Sequence, residues 1–237
     1  MSRRPHRDRR VRRGVLAAVA PLVLVLGLGC TSAEDPSSTA TSAPDTTTGT
    51  SAPVEVQLID RLLRIDDVRP LPAFGLDTRE QPVLDPQQFA LATLRGPCGA
   101  TIETPFDESG VFRVFRSTIS LIVEAVAAPG ATEAEAFVAQ LRADAQPGCP
   151  PFTEQLGSAE PSTIQLESML DLETLGEGWI GWTQEVTAST GRVGSRSILV
   201  AAEGDRLWLL AVLSPDPIPA PDLVALGELA SERAAGS

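Results

Sequence analysis

The longest unbroken apolar stretch in the chain runs from Gly14 to Gly29, about sixteen residues without a charge and with Pro21 inside it. A membrane-spanning helix needs roughly 20 such residues, so this run is short for a span. It follows a start that sets seven arginines against the single acid Asp8 within thirteen residues. A basic start and a short apolar run form the pattern of a secretory signal. The positive-inside bias holds such arginines on the cytoplasmic side. From Thr31 to Pro53 the pattern changes to Ser, Thr, Pro and Ala, with no large apolar residue. That stretch cannot bury enough surface to fold, and it reads as a flexible stalk.

Periodicity begins after Pro53. Leu58, Ile59, Leu62, Leu63 and Ile65 recur at helical spacing and predict a helix over residues 54–65. Asp85 and Pro86 open a second predicted helix, DPQQFALATLR, which Gly96 and Pro97 close. Residues 110–116 and 120–128, with VFRVFR and SLIVEAVAA, read as two strands joined by a short turn. A helix over residues 131–145 follows, with Thr132 and Glu135 spaced as a capping box. Its Ala136, Phe137, Val138 and Leu141 are expected to face the sheet. Residues 162–170, 179–190, 193–202 and 206–214 alternate or run apolar as strands do, with turns at Gly191 and Gly204. A last helix covers residues 219–234. The order α-α-β-β-α-β-β-β-β-α predicts an α+β fold, an antiparallel meander of about six strands packed against helices.

The chain thus divides into a signal over residues 1–29, a stalk over 30–53 and one folded domain over 54–237. Charge sharpens this division. The whole chain holds 19 basic and 31 acidic residues. Without the arginines and Asp8 of the start, 12 basic side chains face 30 acidic ones, a net charge of −18. Nucleic-acid binding needs a basic footprint, so no nucleic-acid partner is expected. Charge alone also does not attach such a domain to anionic lipid.

The only histidine, His6, lies in the signal, and the chain has no Lys, Tyr or Asn. This removes Ser-His-Asp and Cys-His nucleophilic machinery, Schiff-base lysines and His-based zinc sites. Carboxylates are what remains for chemistry: Asp66 with Asp67, Asp107 with Glu108, Glu133 with Glu135, and Asp171 with Glu173. None has calcium-loop spacing. No catalytic residue, metal or cofactor is therefore assigned. Cys98 in GPCGA and Cys149 in PGCPP both sit in turn-like surroundings. In an exported domain an even pair reads as a disulfide. Trp179, Trp182 and Trp208 fall on the meander and are the candidate ligand-cleft residues. Trp179 and Trp182, three apart on one strand, face opposite sides.

The apolar run ends in Leu26-Gly27-Leu28-Gly29-Cys30. This resembles the lipobox of bacterial lipoproteins, although Gly27 and Leu28 reverse the usual order. The resemblance implies that Cys30 is lipidated and becomes the mature N-terminus, which would anchor the chain on the outer face of the plasma membrane. Two or more acyl chains give stable anchoring. The absence of Lys and Asn beside abundant Ala, Arg, Gly and Pro resembles actinobacterial composition. The domain resembles the PknH-like extracellular sensor domains of mycobacterial receptor kinases. The matching parts are the helix before GPCGA, the pair VFRVFR and SLIVEAVAA, the helix EAEAFVAQLRADA and the closing strands SILVAAEGDRLWLLAVL. This resemblance implies a non-enzymatic domain whose cleft takes an envelope ligand; a monomer and an unidentified small molecule or envelope component as partner are expected. A lipid or glycolipid carrier is the alternative, and a carboxylate-dependent hydrolase the third reading.

Overall fold

The computed structural model describes residues 58–75, 77–81, 93–106, 110–155 and 160–236. The expected signal and stalk, Cys30, residues 85–92 of the expected second helix, and Asp107 with Glu108 lie outside the described residues. Every described residue belongs to the unit that spans Gly49–Ser237. Among the described residues no helix is long and apolar enough to cross a membrane.

Eight strands form one antiparallel sheet: β1 (Arg79–Gln81), β4 (Val111–Arg116), β5 (Leu121–Ala127), β10 (Arg206–Ser214), β9 (Val193–Glu203), β8 (Trp179–Ala188), β7 (Ser162–Met169) and β6 (Phe152–Glu154), in that spatial order. The expected meander is the run from β6 to β10. Its last strand pairs with β5, so the β4–β5 hairpin lies beside the end of the meander. β2 (Thr93–Arg95) and β3 (Thr101–Glu103) make a separate hairpin. The helices are α1 (Ile65–Val68), α2 (Ala131–Asp144) and α3 (Ala220–Ala235). The α+β class holds, with more strands than the six expected.

The sheet is covered on both faces, which explains the nearly continuous apolar runs of β9 and β10. On one face, Trp208, Leu210 and Val212 of β10 pack with Leu199 and Ala201 of β9 beneath α3 and Leu58–Val68. On the other, Leu207, Leu209, Ile198 and Val200 pack against α2 and the β2–β3 hairpin. Each fully buried large aliphatic or aromatic side chain contributes roughly 1.5–3 kcal/mol. The β9–β10 turn holds Gly204 at φ 61°, a backbone region that favours glycine.

Four expectations need correction. The helix over residues 54–65 does not continue to Ile65: Leu58 and Ile59 are helical, and the chain then turns until α1. The Leu63 peptide leaves the helical ladder because side chains on the sheet take both its hydrogen-bonding groups. Residues 93–95 are a strand, since Gly96-Pro97 begins the hairpin turn in which Gly96 N–H donates to Ala100 O. Thr132 does not cap α2; Gly130 at φ 100° precedes it, with no side-chain cap. The buried face of α2 is Ala134, Phe137, Val138 and Leu141, and Ala136 is exposed. β1, β3 and β6 carry no readable apolar period because each is three residues long and lies at an edge or in the small hairpin.

Candidate functional site

β7 and β8 are joined by a connection that folds back on the sheet instead of making a tight hairpin. Leu170 N–H donates to Gly181 O at 2.9 Å, which fixes its start. A 3-10 turn over Glu173–Leu175 follows, and Gly176, at φ 103°, redirects the chain into β8. A side chain at Gly181 would bring its Cβ to 2.9 Å from Leu172 Cδ1 and 3.1 Å from Leu170 Cδ1. Glycine there lets those leucines lie against the strand.

Arg142, in the last turn of α2, reaches across to this connection. Its Nη2 donates to Glu177 O and, at 3.3 Å, to Trp179 O. The result is an open groove of about 720 Å³. Leu170, Leu172, Trp179 and Ile180 give it apolar wall, while Arg142, Asp171, Glu173 and Glu177 line it with charge. All four charged residues are exposed. Asp171 Oδ1 accepts from Glu173 N–H at 3.2 Å, so this carboxylate also shapes the loop.

The three candidate tryptophans do not share this groove. Trp179 lines it and donates its indole N–H to Glu203 Oε1 at 3.2 Å. Trp182 is fully buried against α2, and Trp208 is fully buried on the opposite face under α3. Sequence spacing correctly separates Trp179 from Trp182 to the two faces. Trp182 and Trp208 lie outside the groove because β8 and β10 are covered on both faces.

The Cys98–Cys149 disulfide is present, with Cα atoms 5.2 Å apart. It ties the β2–β3 turn to the chain just beyond α2. Two further contacts hold the same turn: Cys98 N–H donates to Asp144 Oδ2 at 2.8 Å, and Gln184 Nε2 donates to Pro97 O at 3.1 Å. The disulfide therefore braces the end of α2 that carries Arg142.

Sequence reasoning missed the buried polar groups. Arg196 of β9, 8% exposed, donates to Gln184 Oε1 and pairs with Glu154 Oε2 at 2.7 Å. Glu124, in the middle of β5, is 0% exposed. Burial pushes its carboxyl up to about 8, against the opposing pull of the Leu63 N–H bond and the Arg113 charge. The signal for Glu124 was visible: it is the lone charge inside SLIVEAVAA. The acids singled out earlier sit elsewhere. Glu133 and Glu135 are on the exposed side of α2. Asp66 is exposed, and Asp67 is held by Arg233. Among the described residues no three acid, His or Cys side chains converge to hold a metal.

No protein-family model matches the chain, and no curated protein matches it by sequence. Solved structures do match it. The extracellular domain of PknH from Mycobacterium tuberculosis aligns over 76% of this chain and 94% of its own length, at 14% identity and a TM-score of 0.52. The Rv0999 ortholog of Mycobacterium smegmatis aligns over 73% of this chain and 95% of its own, at 13% identity and a TM-score of 0.35. The two-sided antiparallel sheet with its braced α2 is thus a PknH-like extracellular-domain fold.

Proposed function

We propose that the chain is a cell-envelope lipoprotein, anchored through Cys30 on the extracytoplasmic face, whose domain binds a ligand without catalysis, as a sensor-like module does. The observation that carries this reading is the groove between α2 and the β7–β8 connection. Its volume of about 720 Å³ falls within the roughly 300–1,000 Å³ of small-molecule sites. An apolar wall with a mostly acidic rim suits a ligand with an apolar body and neutral or cationic polar groups. The likeness to an extracellular domain, the disulfide and the signal-like start all support an extracytoplasmic place. A lipid carrier calls for a large enclosed apolar cavity, whereas this groove is open and charged.

The test is native mass spectrometry of the protein purified from its own envelope. The expected result is a co-purifying small molecule that is lost when Glu173 and Glu177 are both replaced by Ala, with thermal stability kept. A lipid retained by that variant would favour the carrier, and no bound molecule at all would overturn the reading.

A further inference from the structure

Leu58–Val68 is the first described segment after the stalk-like sequence, and it lies on the α3 face of the sheet. Leu58, Leu62, Leu63 and Val68 are buried in the core on that face, and a polar contact at Leu63 adds to their hold. Glu124 of β5 and Arg113 of β4 stand directly opposite each other in the sheet. Glu124 Oε2 accepts from Leu63 N–H at 2.8 Å, and Arg113 Nη1 donates to Leu63 O at 2.8 Å. The two side chains hold the N–H and the C=O of one residue, as a neighbouring strand would.

The environment of Glu124 suits the neutral acid. Its Oε1 has no hydrogen-bond partner. Arg113 is committed to Leu63 O and to Glu80 Oε1 at 3.5 Å. Arg233 of α3 is bidentate to Asp67, at 2.8 and 2.9 Å. Asp67 itself adds a like charge facing Glu124. From β10 the residue opposite Glu124 is Leu210, and the diagonal neighbour is Trp208, whose Nε1 is also unpartnered. Among the described residues, Glu124 forms no ion pair. A buried charge without such a partner is costly.

We infer that Leu58–Val68 is held to the sheet by a proton-dependent clamp: it stays docked while Glu124 keeps its proton, and each local opening of the segment releases that proton. Four buried side chains and the Arg233–Asp67 pair also hold the segment, but its backbone has a single four-residue helix and a few turn hydrogen bonds, whereas β5 is paired along both edges, so the segment can lift from a sheet that stays paired. Opening lets water reach Glu124, and the exposed carboxyl ionises. The direction of the burial shift agrees, since the closed form binds the proton more tightly than ordinary Glu. The clamp does not depend on the groove, so the two readings stand or fall separately.

The test is amide hydrogen exchange on the full chain in detergent, compared with Glu124→Gln, which keeps the side-chain shape and the acceptor for Leu63 N–H. Between about pH 5 and 8, wild-type protection over residues 58–68 should fall by about tenfold per pH unit relative to the variant. Over that range the same amides should exchange faster than those of β9 and β10. A ratio that stays flat with pH overturns the proposal. So does identical exchange of the segment and the central strands, which would mean that only global unfolding exposes Glu124. If the variant fails to fold, carbon NMR of the wild-type Glu124 carboxyl decides: titration in the ordinary glutamate range refutes the clamp.

Discussion

Glu124→Gln should make the domain less stable in acid and more stable in alkali than the wild type. The folded protein binds the Glu124 proton with a pKa of about 8, against 4.5 for an ordinary glutamate. Because the folded value is raised, the favourable contribution is complete below pH 4.5. It drains away as pH rises toward 8, since the unfolded chain gains by ionising while the folded chain does not. Above 8 both states are ionised and the loss levels off. The full span corresponds to about 5 kcal/mol. Glutamine has no such dependence. Its amide, however, brings two donors where the protonated acid has one O–H, and the additional buried donor without a partner costs about 1–3 kcal/mol. The two stability curves should therefore cross near pH 6, with the variant ahead by about 3 kcal/mol at pH 8.5. Urea denaturation followed by tryptophan fluorescence from pH 5 to 9 measures both curves. Parallel curves would show that Glu124 is ionised in the folded state and that the reasoning from burial is wrong.

Other outcomes are equally specific. Replacing Cys98 and Cys149 together by Ser opens a loop of sequence separation 51, for which chain entropy predicts a loss of about 4 kcal/mol; calorimetry showing an unchanged Tm would refute a structural role. Trp182→Ala and Trp208→Ala should each cost about 3–5 kcal/mol, since each empties a buried site. A mild effect in denaturant for either would argue that the side chain faces a cleft. Arg233→Ala should cost about 1–3 kcal/mol at neutral pH by stripping Asp67 of its two charged hydrogen bonds. Asp67 is held below its ordinary 3.8, because bonds from Arg233 and Arg64 N–H outweigh burial. The pair therefore stabilises above that pH and is lost as pH falls through the folded value, so the wild-type advantage should shrink in acid melts.

What was legible in the sequence follows from how long each pattern runs. β8, β9 and β10 extend over nine to eleven residues and close on glycine-bearing turns, so their bounds were readable within a residue or two. α2 was readable because four apolar positions recur at spacings of three and four. Three-residue strands offer no period to read. The segment after Pro53 has apolar helical spacing, but a carboxyl and a guanidinium on distant strands outbid the helix for the Leu63 peptide, which local pattern cannot reveal. The groove was illegible for a related reason. Its wall comes from one strand end and one loop, and Arg142 arrives from α2. Of its lining, only Trp179 and the pair Asp171 and Glu173 carried a signal.

The placement of acids bears on what the groove can do. A carboxyl serves as a general acid near neutral pH when burial raises its proton affinity and a substrate can reach it. In this domain those two conditions fall on different residues. Glu124 has the raised affinity, yet it is 0% exposed and does not line the groove. Asp171, Glu173 and Glu177 line the groove, yet each is exposed to water. No histidine or lysine occurs after the first fourteen residues to take the missing role. The groove thus pairs an apolar wall with exposed charges at its rim, and among the described residues lining it no acid is buried. Under the proposed function that division suits binding better than hydrolysis, and the inferred clamp draws on Glu124 instead.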